Sequence, residues 1–285
     1  MATNKVKIKL QGHEKFSLRE GWINKALNIL PNIPDAFTRN DATDLFGIGS
    51  NMVKSLRYWM RAFGLTNNTG SKLSEIGELI AKYDPYLENP FTLWIMHSYI
   101  AKNIEDATTW FMYFNRCDAQ NLNKSEIDSI LLRETKKYAA GAKFSEKSLS
   151  NDISVLLNMY SKNKDRVDPE DKSISPFSQL SLIRKIDGRY IKNHPNRKLL
   201  ADSVILYELA IKLLEQESVS IEKVIYDETG LAKIYNMSSV MANEYFDRLD
   251  IAGFIRVDRT AGLDIIYPVK ELNPITIIED FYKNN

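Results

Sequence analysis

Residues 47–65, GIGSNMVKSLRYWMRAFGL, constrain the fold more than any other stretch of this chain. Met52, Leu56, Trp59 and Phe63 recur at helical spacing and form one continuous apolar stripe. A stripe that ends in two large aromatic rings must be covered by other elements, so this helix belongs to a packed core. Gly47 and Gly49 supply a turn before it, with Ser50 as the expected cap. After it, LTNNTGSKL (65–73) has apolar ends around an Asn/Gly/Ser tip, the pattern of a hairpin.

The flanking stretches extend this picture. VKIKL (6–10) alternates like a short strand. Ser17 and Glu20 have capping-box spacing and predict a helix from near Leu18, with Trp22, Ile23, Ala26, Leu27 and Leu30 inward, ended by Pro31 and Pro34. A short helix from Thr38 turns Ala42, Leu45 and Phe46 inward, and Ser74 caps a later one carrying Ile76, Leu79 and Ile80. Helix, short helix, turn, helix, hairpin is the order of a winged helix-turn-helix.

Farther along, residues 84–197 read as helical and aromatic, with Trp94, Trp110, Phe111 and Phe114. Residues 125–160 form two helices about Gly141, the second capped by Ser145, in another helix-turn-helix pattern whose exposed face carries only Lys147 as a charge. SKNKDRVDPEDKS (161–173) reads as a linker, and KNHPNRK (192–198) as a boundary. A long helix over 199–217 leads to a helix capped by Ser238, with Met241, Tyr245 and Leu249 inward, and then to a second candidate wing at 255–268. The expected fold is mainly α. Winged helix-turn-helix modules at both ends (1–83 and 198–285) are joined by an α-helical middle region (84–197).

Charge is distributed unevenly. The 285 residues carry a net charge of +1, yet residues 1–82, 83–197 and 198–285 carry +5, +2 and −6. If one end meets a polyanion, it is the first. Lys54, Arg57, Tyr58 and Arg61 fall on a second face of the 50–63 helix, and Lys72 lies in its wing. Lysine and arginine neutralise phosphates, and arginine forks onto guanine, so these five residues form the candidate nucleic-acid-binding site. A merely solvated face has the same composition, so both readings stand at this point. The C-terminal counterpart offers Asn243, Glu244, Asp247, Arg248 and Asp250, with Arg256 and Arg259 on its wing. Its carboxylates would repel a phosphate backbone, which points to a partner surface.

Catalytic patterns are missing. His13, His97 and His194 are scattered, and there is no zinc-ligand spacing, phosphate-cradling loop or nucleophile elbow. We therefore expect no enzyme activity, metal or cofactor. His13, Glu14 and Arg19 could hold an anion or a proton, and serve an enzyme, only if they converge in a concave pocket; the plainer reading is hydrogen-bonding groups tying a strand end to a helix start, with Asp84 and Glu88 as caps. The single Cys117 excludes an internal disulfide and fits a reducing cytosol. No apolar run approaches membrane-spanning length, so the expectation is a soluble cytoplasmic protein without a membrane partner.

In this order, GHEKFSLREGW, GIGSNMVKSLRYWMRAFGL, DPYLENPFTLWIMHSYIA, SEKSLSNDISVLLNMY and EDKSISPFSQLSLI resemble the blocks of the domain of unknown function 4007 family over most of the chain. Family members more often show H-E-T-F-P-L-R at the first block, where this chain has Lys15 and Ser17. The family assigns no catalytic residues. The resemblance implies a setting in bacterial clusters for DNA sulfur modification or phage defence, beside phosphosulfate-reductase-like and cysteine-desulfurase-like enzymes. It favours a non-enzymatic accessory protein that binds double-stranded DNA. The alternative is an assembly subunit that docks such an enzyme without touching DNA. A homo-oligomer fits either.

Overall fold

The computed structural model describes residues 6–161, 174–214 and 216–285 of the chain. Residues 162–173, most of the expected linker, lie outside the described residues. The chain divides into two units, Met1–Asn193 and His194–Asn285, both mainly helical.

The first unit opens with α1 (Trp22–Ile29), α2 (Ala42–Phe46), α3 (Ser50–Ala62) and α4 (Glu75–Tyr83), and α1 packs against α3 and α4. The capping box expected at Ser17 does not form. Helix α1 begins at Trp22 behind a left-handed Gly21, and the Glu20 amide instead donates to Ile174 O. VKIKL forms no strand either: the amides of Lys9 and Gln11 donate to the side chains of Thr108 and Asp152 rather than to a neighbouring strand. Gly47, with φ 60°, closes α2, and Gly49 rather than Ser50 takes the cap position of α3.

Along α3, Leu56, Trp59 and Phe63 are buried and Met52 is half-buried, so the stripe faces the core. Trp59 meets Trp110 edge to face at 5.3 Å and Phe63 stacks on Phe177 at 5.0 Å. The expected N-terminal wing is reduced to one bridge, Thr66 with Leu73. Ser74 caps α4 by accepting from the Gly77 amide.

Next come α5 (Pro90–Lys102), α6 (Thr108–Arg116), β1 (Asn121–Asn123), α7 (Lys124–Ala139), α8 (Glu146–Ser161), β2 (Ile183–Ile186) and β3 (Arg189–Lys192). The three strands form an antiparallel sheet in the order β1-β3-β2. Asn123 caps α7 in a capping box with Glu126. Helix α8 packs against α7, α6 and β2.

The second unit contains α9 (Asp202–Leu213), β4 (Val219–Ser220), α10 (Ile221–Tyr226), α11 (Leu231–Ile234), α12 (Ser239–Ile251), β5 (Ile255–Asp258), β6 (Ile265–Pro268) and α13 (Pro274–Asn284). Its sheet has the order β4-β6-β5, antiparallel throughout. Ser238 caps α12 through the Met241 amide, and Met241, Tyr245 and Leu249 are buried. The two sheets therefore share one topology: first strand, helices, then a hairpin whose second strand lies in the middle.

Candidate functional site

Three of the five candidate contact residues are accessible. Lys54 and Lys72 are exposed, and neither side chain has a partner among the described residues. Arg57 is half-exposed, and its guanidinium donates to Thr69 O, through Nε at 3.2 Å. Gly70 lies so close that a Cβ there would sit 3.1 Å from the Arg57 side chain. Helix α3 and the tip of the following turn are thereby held as one surface.

The other two candidates are placed differently. Tyr58 is only 8% exposed and does not lie on the solvent face where helical spacing puts it. Its ring sits edge-on to His13 at 5.8 Å, and Gly12 packs against it so tightly that a Cβ would come within 2.3 Å. Burial pushes the phenol well above its usual pKa, with Asp152 and Asp106 adding to the effect and Arg61 opposing it. Tyr58 is thus a core residue, covered by the N-terminal segment. Arg61 is partly buried and donates to Asp106 Oδ1 at 2.8 Å, so its charge is already met within the protein.

His13, Glu14 and Arg19 do not converge. His13 is fully buried, stacked on Trp59 at 5.7 Å, with Nε2 3.0 Å from Asp152 Oδ1. Arg19 lies over the rings of Phe16 and Trp22 instead. Asp84 accepts from the amides of Glu88 and Asn89 and from the Thr92 hydroxyl, the role of a cap. Cys117 is buried, which raises its thiol pKa and leaves little thiolate for reaction.

The charges of the C-terminal helix α12 are met by residues outside it. Arg248 pairs with Asp202 at 2.6 Å, Arg259 with Asp247 at 2.8 Å and Arg197 with Glu244 at 2.6 Å. The wing arginine Arg259 therefore offsets one carboxylate of α12, Asp247, and is itself engaged in doing so. The same unit carries exposed Leu214, Tyr226, Val240, Ile251, Leu263, Tyr267 and Val269.

One hairpin is missing from the expected element order. IRKIDGRYIK (183–192) turns at Asp187 and Gly188, with φ 47° and 79°, and carries Arg184 and Lys185 on its exposed strand. An Asp-Gly pair between alternating residues is a strong hairpin signal, so this element is legible in the sequence.

A family model described as "Protein of unknown function (DUF4007)" matches residues 10–282. No curated protein matches. Among solved structures, the chain resembles a magnesium ion-bound SspB crystal structure and an SspB crystal structure. Each has a TM-score of 0.83, 20% identity, and coverage of 97% of this chain and 88% of that one. At this identity the likeness concerns the fold.

Proposed function

The chain belongs to the DUF4007 family, and from that premise we propose that it is a non-enzymatic, duplex-DNA-binding accessory protein of a bacterial DNA-modification or phage-defence system. The observation that carries this reading is the bond from Arg57 to Thr69 O, which ties α3, with exposed Lys54, to the turn that precedes exposed Lys72. Arg57 is held in place for a phosphate contact, and the exposed amines of Lys54 and Lys72 are free to join it. Tyr58 and Arg61 drop out of the contact set, the first because it is buried and the second because it is paired. The winged order of strand, helices and hairpin in both sheets supports a fold suited to duplex contact.

One of the similar structures is described as binding a magnesium ion. Among the described residues here, no three His, Cys, Asp or Glu side chains group to hold a metal ion. No described helix is long and apolar enough to cross a membrane.

A second reading has its own support. The exposed apolar side chains of the second unit, among self-paired charges, suit docking to a protein such as a phosphosulfate-reductase-like or cysteine-desulfurase-like enzyme, or to a second copy of the chain. Duplex titration at two salt concentrations tests the first reading. Absence of duplex binding at low salt, with co-purification through residues 194–285, would favour the second.

A further inference from the structure

Helix α8 and the β2–β3 hairpin present an accessible polar face whose side chains differ from those of α3. The element order α6, β1, α7, α8, β2, β3 with sheet order β1-β3-β2 is that of a winged helix-turn-helix, in which α8 takes the recognition position and β2–β3 the wing. Leu149, Ile153, Leu156 and Tyr160 bury one side of α8. Lys147, Asn151, Ser154 and Asn158 line the other at i, i+4, i+7 and i+11. Lys147, Ser154 and Asn158 are exposed and Asn151 is half-exposed.

The amine of Lys147 and the amides of Asn151 and Asn158 have no partner among the described residues. Neither does the guanidinium of Arg184 on the wing. Glu146, the acid in the first turn, is paired with Lys136 at 2.7 Å, and no carboxylate lies on the stripe itself. The topologically equivalent helix α12 is the internal comparison: its outer face carries Glu244, Asp247 and Arg248, all engaged in ion pairs.

Asparagine forks onto adenine N6 and N7, lysine reaches guanine O6 and N7, and serine bonds to either kind of edge. Lys54, Arg57 and Lys72 of the α3 surface are cations suited to the phosphate backbone and to guanine edges, with none of them able to fork onto adenine as asparagine does. We infer that α8 is the base-reading helix of this protein, entering the major groove of B-form DNA with Lys147, Asn151, Ser154 and Asn158 on base edges and Arg184 on a flanking phosphate. At about 1.5 Å per residue the stripe spans ~16 Å, roughly five base steps. This inference rests on the reading of the chain as a duplex-binding protein and names what that protein reads.

The test is selection of full-length protein against a randomised DNA duplex pool, followed by anisotropy titration of the enriched and a scrambled duplex. Wild type should enrich a motif of roughly five base pairs. N151A/N158A alters two accessible side chains that bond to nothing described, so the fold should persist, as circular dichroism would verify. That variant should lose tenfold or more affinity for the enriched duplex and change less than twofold on the scrambled one. The same sequences as double-stranded RNA should bind without discrimination, because the deep, narrow major groove of A-form RNA excludes a helix. An unchanged motif and affinity in N151A/N158A overturns this inference and leaves duplex binding standing. Wild-type binding with no enriched sequence, or equal discrimination on RNA, overturns it too. Wild type that binds no duplex at low salt overturns both readings.

Discussion

The Nε2 of His13 donates to Asp152 Oδ1 at 3.0 Å, joining residues far apart in the chain inside the core of the first unit. The tautomer follows from the other nitrogen: the Lys15 amide donates to Nδ1, so Nδ1 is the acceptor and Nε2 carries the proton. Asp152 also accepts from the Gln11 amide and the Thr109 hydroxyl, which satisfies a carboxylate that is 2% exposed. This cluster fastens the N-terminal segment over Tyr58 and thereby decides which part of α3 reaches solvent.

Removing the carboxylate strands three donors in a buried site. Asp152→Ala should lower stability by about 3 kcal/mol or more, read from urea unfolding with an unchanged m-value. A loss below about 1 kcal/mol would show that the cluster does not hold the segment in place.

Much of this arrangement is written in the sequence, and the rest is not for identifiable reasons. The stripe of Leu56, Trp59 and Phe63 and the caps at Ser74 and Ser238 depend on neighbours within a few turns, which local spacing encodes. Tyr58 has the same local spacing relative to Lys54 as an exposed residue would, but Gly12 and His13, brought in from another part of the chain, pack against it. Ser17 has capping-box spacing, yet Gly21 in a left-handed conformation starts the helix. Strand β1 pairs with β3 from beyond α7 and α8, so three residues of strand are invisible to periodicity. The family resemblance, by contrast, was carried by spaced blocks over most of the chain and coincides with the family match.

Arg61 separates charge from contact. Because its guanidinium is held by Asp106, Arg61→Ala should leave duplex affinity within about twofold while costing about 1 kcal/mol of stability, discounted for its partial exposure. Anisotropy and urea titration of one preparation check both numbers. A large affinity loss with intact stability would return Arg61 to the contact set.

Gly77 tests how closely the turn after α3 approaches α4. A Cβ at this position would stand 2.2 Å from Leu65 O, a backbone atom that cannot turn aside. Gly77→Ala should destabilise by roughly 3 kcal/mol despite the better helix propensity of alanine. Thermal unfolding that matches wild type would contradict that packing.

Burial raises the phenol pKa values of Tyr58, Tyr113 and Tyr160 in the folded chain. An acid whose folded pKa is raised contributes stability that is present below the unfolded value, about 10 for tyrosine, and lost as pH rises above it. Unfolding free energy should therefore decline from about pH 10 upward, and the 295 nm absorbance change of these three rings should coincide with unfolding. Tyrosine titration complete near pH 10 in folded protein would contradict their burial.

The most direct measurement of the central claim is the salt dependence of duplex binding for wild type and the K54E/R57E/K72E variant, followed by anisotropy at several ionic strengths. All three positions are accessible, so the variant should fold. If Lys54, Arg57 and Lys72 each neutralise a phosphate, wild type should show a log–log slope steeper than the variant by about 3, with affinity reduced on every sequence tried. Equal slopes and equal affinities for the two proteins would contradict duplex contact through this face.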